Sequence, residues 1–440
     1  MSKAVDVAAR VKWLTTSTIV SIAATGLIFQ LLSVISGPLV ARLLGPEGRG
    51  QLAVLMVVIL ICTQIGMGAL PAAIAHAVAT SGAPARDALR VHLRWWFVAA
   101  TIPSAASVGC AAMLLRGVEN LPVVAGVLFV ATFVSIWGIV RNAMLEGEQN
   151  VRYLNASRLL GMAFYVVTIL IVLLVRPESG IAVILGIYAA TLVVSQLVVQ
   201  RGLRPATGDQ ALNVERSRIH GFAVRGFISG IRLLDGLGMD LLLVNFLVGQ
   251  VAVGLYAVAM SVSIVPVIVL TGLATILLPK MAASPEGSIR ILRRWVLAAI
   301  VIDVFLVAAI ELGVGPVVRF AFGSEFDGAV PVARLLAVAF GLLALRRVLT
   351  AAAQAQGREV HCSVIEVLST IVFVLTATIL GLEYRSEGVA AGLAIAAGVS
   401  CALLSTQVRW RTHVSRSLAP ATEVDLVDLV ATDDVEQLRT

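Results

Sequence analysis

Charge is what this chain has least of. Charged residues make up 13% of its 440 positions, against 59% hydrophobic; soluble domains average about 25% charged. A soluble protein of this length could not cover its surface with so few, which excludes an ordinary globular enzyme. Cysteine is nearly absent too. Cys62, Cys110, Cys362 and Cys401 fall singly inside apolar stretches, a distribution that fits neither a disulfide framework nor a metal site and leaves them as small packing residues. The sequence also lacks a phosphate-binding glycine loop, a metal-ligand pattern and a nucleophile–base constellation. ATP-driven transport and covalent catalysis are therefore not expected. Long polar connections are missing as well, and with them the large outer domain that an extracellular glycan enzyme would carry.

What remains is apolar length. Twelve stretches are long enough to cross a bilayer, which needs about 20 apolar residues each: 14–41, 51–79, 95–115, 121–140, 158–175, 181–200, 221–248, 251–279, 295–320, 330–349, 361–382 and 388–407. Helix is the default in lipid, where backbone groups must pair internally. β-barrel strands would alternate over about 10 residues, and no such alternation is present. The expected fold is all-α and polytopic.

Orientation follows from the basic residues. Arg42, Arg49, Arg116, Arg176, Arg319, Arg334 and Arg385 fall on one side, Arg232 lies in mid-span, and the other 25 of the 33 lie on the opposite side. By the positive-inside rule that side is cytoplasmic and holds both termini. The net charge of +7 is then topology, and no nucleic-acid partner is implied. The first stretch is too long for a signal-peptide core, so 1–13 reads as a cytoplasmic stub before a retained helix.

The chain repeats itself. Gly45-Pro-Glu-Gly-Arg-Gly50-Gln-Leu-Ala53-Val54-Leu-Met56 returns 204 residues later as Gly249-Gln-Val-Ala-Val-Gly254-Leu-Tyr-Ala257-Val258-Ala-Met260. Gly180-Ile-Ala182-Val-Ile-Leu185-Gly-Ile187 returns as Gly388-Val-Ala390-Ala-Gly-Leu393-Ala-Ile395, and Glu146-Gly147-Glu148 is matched by Gln356-Gly357-Arg358. Two six-helix bundles, 14–200 and 221–407, are expected in the same orientation about a pseudo-twofold along the membrane normal. Residues 201–220 form the cytoplasmic linker, and 408–440 a cytoplasmic tail of disordered character, acidic at Asp433, Asp434 and Glu436.

The segment Arg42-Leu-Leu-Gly-Pro-Glu-Gly-Arg-Gly resembles the R-x-L-G-P-E-x-x-G junction of polysaccharide-export (Wzx-like) flippases. Asp240 with Gly254-Leu-Tyr256-Ala257 resembles their D…G-x-Y-x-x-A region. These transporters belong to the multidrug/oligosaccharidyl-lipid/polysaccharide (MOP) superfamily, and the resemblance spans residues 12–407. It implies a MATE-like fold around a central cavity, and a substrate of undecaprenyl-pyrophosphate-linked oligosaccharide passed across the cytoplasmic membrane for cell-surface polysaccharide biosynthesis. Membrane lipids, a polysaccharide polymerase and glycosyltransferases would be the partners. Many relatives place mid-membrane basic residues in the first half, where the spans of this chain have none.

An ionisable group at mid-bilayer costs about 2.5–3.5 kcal/mol on insertion scales, so each needs a reason. Arg225, Arg232, Asp235 and Asp240 share one face of the seventh span, within roughly 140° at 100° per residue. Arg232 sits about 16 Å deep at 1.5 Å per residue. A guanidinium keeps its charge and grips phosphate through two parallel hydrogen bonds, so Arg232 and Arg225 are candidate pyrophosphate ligands; the competing reading pairs Arg232 with Asp235 one turn away. In the tenth span, Arg346 and Arg347 lie in the inner half, and being adjacent cannot both face a cavity. Asp303, Glu311 and Glu366 are candidate coupling carboxylates for H+ or Na+, or partners of arginines. No other cofactor is expected. Gly37-Pro38 and Pro266 should kink their helices. Alternatives to a flippase are a cation-coupled multidrug exporter on the same fold, a glycan polymerase or ligase, and a non-transporting scaffold of a polysaccharide assembly complex.

Overall fold

The computed structural model describes residues 2–68, 70–81, 85–115, 120–176, 180–205, 234, 236–282, 288–356 and 358–408. Apart from one short 3-10 turn, Ser324–Phe326, regular structure among them is α-helical. The helices are α1 (Ser2–Met67), α2 (Leu70–Ser81), α3 (Ala85–Leu114), α4 (Leu121–Gly147), α5 (Val151–Val175) and α6 (Ile181–Gly202), followed by α7 (Met239–Leu247), α8 (Gln250–Ser263), α9 (Val265–Ala282), α10 (Ser288–Ala321), α11 (Ala329–Ala355) and α12 (Glu359–Gln407).

Eight helices among the described residues are long and apolar enough to cross a membrane, nine if α8 and α9 are one bent span. Two of these are double. α1 breaks at Gly45 (φ 64°, ψ −178°) and α12 at Arg385 (φ 54°, ψ −131°). The return at Arg385 is tight enough for Thr376 Oγ1 to donate to Gly392 O at 3.3 Å. The seventh span is described from Leu234 onward, with α7 as its far end. The outcome is the expected all-α polytopic fold of two pseudo-symmetric bundles, α1–α6 and α7–α12. Large apolar side chains stand exposed on their outer faces, Met113, Leu312 and Phe320 above 80%, as a lipid-facing surface requires.

The structure moves several edges. Helix begins at Ser2, so the stub 1–13 continues the first span. The second span is divided at Gly68 (φ 49°), where α1 ends and α2 follows. The fifth begins at Val151, seven residues early, because Asn150 closes the preceding turn. The kink expected at Pro266 is present, since α8 and α9 bend by 46° just before it; α1 keeps helical backbone at Pro38 and is broken at Gly45. The linker is described only to Pro205, and the tail beyond Val408 lies outside the described residues.

The repeat is visible in the packing. Asn150 Nδ2 donates to Gly202 O at 2.9 Å, tying the α4–α5 turn to the end of α6. Arg358, 208 residues on, donates to Gln407 Oε1 at 3.0 Å and ties the α11–α12 turn to the end of α12. The same corner is closed twice, with different side chains.

Candidate functional site

The two halves meet at the repeated junctions. Gly45 and Gly249 (φ 116°, ψ 178°) both occupy backbone space that only glycine enters freely, so each lets a helix end and another begin at once. That brings Gly50 in the second leg of α1 against Gly254 in α8. A Cβ on Gly50 would overlap the Gln250 carbonyl, and one on Gly254 would overlap the Pro46 carbonyl. Beside the crossing, Gln51 Nε2 donates to Gln250 Oε1 at 3.1 Å. At the same end, Arg42 donates to the Phe320 and Ala321 carbonyls at 2.7 and 2.9 Å, satisfying the last turn of α10. Arg319 in turn holds Asp327 at 2.6 Å, which keeps that exposed carboxyl below its ordinary range.

Contacts between the halves reach inward from this junction end to Gly238, against which Val57 packs (2.9 Å from a Cβ there). Val57 is eleven residues past Pro46, about 16 Å deep at 1.5 Å per residue. Below that level α9 bends away and packs on α10 and α11 of its own half. Among the described residues the bundles thus cross at the junction end; the opposite end, where α6 finishes at Gly202, is the linker end.

The sequence-derived candidates fall in different places. Arg225, Arg232 and Asp235 lie outside the described residues. Asp240, in the first turn of α7, is buried beside Tyr256 of α8, so the D and Y of the family-like pattern face one another. Tyr256 lies within electrostatic reach of Asp240, although its hydroxyl does not reach hydrogen-bond geometry. Arg346 and Glu366 are brought together as a buried ion pair between α11 and α12. Arg346 Nε also donates to Ser400 Oγ at 2.8 Å, and Glu366 Oε1 accepts the Leu234 N–H at 3.0 Å. The network therefore fastens the approach to α7 onto α12. Arg347 turns the other way and donates to Thr271 Oγ1 of α9 at 2.7 Å, as adjacent positions on a helix require.

The remaining carboxylates differ in setting. Glu311 stands 3.7 Å from Arg334, both partly exposed. Asp303 is 5% exposed, and its Oδ1 has no hydrogen-bond partner. It packs on Gly341, where a Cβ would come within 2.9 Å of Oδ2, and Cys401 lies within electrostatic reach of both Asp303 and Arg346. Among the described residues no cluster of three or more His, Cys, Asp or Glu could hold a metal ion.

Arg49 is the site residue that sequence reasoning missed, having been counted as an outer-loop cation. The helix restarts at Pro46, so Arg49 is already one turn inside it. Its guanidinium is enclosed by protein next to Tyr165 of α5, while the residue as a whole is half-buried. Its Nε is sealed without a partner, and no carboxylate reaches it among the described residues. Tyr165 stacks edge-on against Tyr188 at 6.4 Å. The available signal was the repeat itself: the position matching Arg49 is Val253, fully buried.

No family model matches the sequence, and no curated protein matches it significantly. Solved structures do. An inward-facing multidrug resistance MATE family transporter of the MOP superfamily superposes with TM-score 0.68 at 19% identity, covering 88% of this chain and 98% of that one. The lipid II flippase MurJ in an inward closed conformation gives 0.71 at 13%, covering 88% and 86%. An outward-facing MATE transporter gives 0.60 at 19%, covering 89% and 95%. Identities this low carry the fold, and that much is plain: the chain is a multi-pass membrane protein with the two-bundle helical fold of the MOP superfamily.

Proposed function

We propose that the protein is a flippase that carries an undecaprenyl-pyrophosphate-linked oligosaccharide across the cytoplasmic membrane for cell-surface polysaccharide biosynthesis, by alternating access between its halves. The observation that carries this reading is Arg49, an enclosed guanidinium near the junction of the halves with no carboxylate partner among the described residues. A cation so placed is costly unless an anion visits it. With both termini cytoplasmic, the crossing at Gly50 and Gly254 would close the outer side, and the headgroup would enter from the inner leaflet. Arg232 and Arg225 in the seventh span, with Asp235 and Asp240 beside them, would receive the pyrophosphate from below, and the prenyl tail would stay in lipid. The higher similarity to inward-facing than to outward-facing relatives supports the same state.

Arg346 and Arg347, held by their own partners, would shape the route from behind; Glu311 and Glu366, both paired with arginines, are weaker coupling carboxylates than Asp303. Asp303, buried and lacking a hydrogen-bond partner, is the residue whose loading with H+ or Na+ would drive return. A polysaccharide polymerase and glycosyltransferases would act on either side of the step.

The test is reconstitution. In proteoliposomes the wild type should expose a pyrophosphate-linked oligosaccharide lipid on the far leaflet. Arg49→Ala and Arg232→Ala should each slow it at least tenfold while inserting normally, about 1.4 kcal/mol of lost stabilisation. Both variants working at the wild-type rate would overturn the assignment.

A second reading, a cation-coupled multidrug exporter, is favoured by Asp303 and Asp240, two buried carboxylates in the C-terminal half. It expects efflux of an amphiphilic cation that Asp303→Asn abolishes, with no movement of the glycan lipid.

A further inference from the structure

The N-terminal half holds a second cationic cluster, away from the contact between the halves. α4 and α6 approach each other at Gly138, where a Cβ would come within 2.6 Å of Gln196 Nε2. Three residues on from Gly138 is Arg141, and four on from Gln196 is Gln200, so the pairing of the two helices sets Arg141 level with the last turn of α6. Into that turn reaches Arg86, from the first turn of α3, donating through Nη2 to Gln200 O at 2.6 Å. The two guanidiniums are thereby placed within repelling range of each other.

Nothing described offsets them. Arg141 is 9% exposed, and it makes no hydrogen bond or ion pair among the described residues. The Nε atoms of both arginines, the Oε1 of Gln196 and the Oδ1 of Asn142 are all sealed and unsatisfied. An unpaired buried charge costs several kcal/mol, and a like charge beside it adds to that cost. A corner with two forks and no acid among the described residues calls for an anion to occupy it. The fork geometry and double charge suit a tetrahedral phosphate, which accepts from both guanidiniums at once, while a ligand hydroxyl, that of hydrogen phosphate or of a glycerol headgroup, would donate to Gln196 Oε1. The cluster lies toward the linker end, where α4 finishes at Gly147 and α6 at Gly202.

We propose that Arg86 and Arg141 form a phosphate-binding site inside the N-terminal bundle, filled by the phosphate of an anionic lipid headgroup or by free phosphate. It does not require the flippase reading, because the cluster belongs to α3, α4 and α6 and not to the route between the halves.

The test is thermal unfolding of the full-length protein in a neutral maltoside detergent. One arm adds inorganic phosphate, the other phosphatidylglycerol. The wild type should be stabilised in at least one arm; response to the free anion alone marks a soluble ligand, and response to the lipid alone marks a headgroup. Arg141→Gln and Arg86→Gln should each weaken the fitted affinity at least tenfold, and Arg141→Lys should retain part of it. Arg86→Gln keeps the test usable if Arg141→Gln does not fold, since Arg86 is only half-buried. No response of the wild type in either arm overturns the proposal, as does an undiminished response in both glutamine variants. Failure of oligosaccharide translocation in reconstituted vesicles, with this binding intact, would remove the flippase reading and leave the site standing.

Discussion

Arg346 and Glu366 illustrate how a helical bundle tolerates charge. Either alone in the interior would bear a desolvation cost that no single hydrogen bond repays. Together, with Ser400 Oγ and the Leu234 N–H supplying the remaining contacts, they are satisfied. Such a pair is a conditional asset: removing one partner strands the other, whereas replacing both with apolar groups is often neutral. Glu366→Ala should therefore lower stability by about 3 kcal/mol, and Arg346→Met with Glu366→Leu should recover most of it. Unfolding in detergent measures both. Equal stability of the single and double variants would show the pair to be inert. Arg49 and Arg141 are the contrasting cases, cations without such an internal answer among the described residues, and for that reason they point to ligands and Arg346 does not. The carboxylates divide the same way, Glu311 beside Arg334 and Asp303 on its own.

At the scale of elements, the two glycine pairs decide how helices meet. Gly45 and Gly249 turn the chain, through backbone conformations that a side chain would strain. Gly50 and Gly254 lie one turn further on, and their task is absence of bulk, since each lets the other helix's backbone come to where a Cβ would stand. Alanine at either should push α1 and α8 apart. We expect Gly254→Ala to weaken closure at the junction end, seen as faster labelling of a cysteine introduced at Gln51 in a background lacking Cys62, Cys110, Cys362 and Cys401. Unchanged labelling would mean that the crossing is not what holds that end shut. The 46° bend between α8 and α9 is the complementary device: Pro266 cannot donate to the helix ladder, so the lower part of that span is free to follow its own half.

At the scale of the whole molecule, the halves are joined at the junction end, and the proposed alternating access requires that joint to open. Gln51 and Gln250, whose side chains meet across the crossing, give the means to forbid it. Replacing both with cysteine in the background lacking native cysteines should allow a disulfide that stops translocation under oxidation and releases it under reductant. Undiminished turnover of the oxidised protein would refute alternating access at this gate. Much of this architecture was legible in the sequence. Apolar length and the basic-residue bias specified the spans and the two-bundle layout, and the offset of 204 residues exposed the repeat, because bilayer thickness and backbone satisfaction leave a membrane chain few choices. Span edges were less legible: α12 passes its hinge at Arg385 with almost no loop, and polar residues such as Glu383 and Glu387 mark a turn without fixing its length. Of the site, Asp240 and Tyr256 were legible as a pattern but not as neighbours. Arg49 was misplaced because loop membership was inferred from charge, while the helix had already restarted at Pro46.

The sequence by itself determined that this chain lives in a membrane, is helical throughout its spans and is built twice, since each of these follows from local composition and spacing. Only the tertiary structure decided that the two copies of the junction cross at Gly50 and Gly254, that Arg346 is spent on Glu366, and that Arg86 and Arg141 share one corner. Those outcomes join residues tens to hundreds of positions apart. They depend on the depth and rotation at which whole helices settle against one another, a balance of packing that no local stretch of residues encodes.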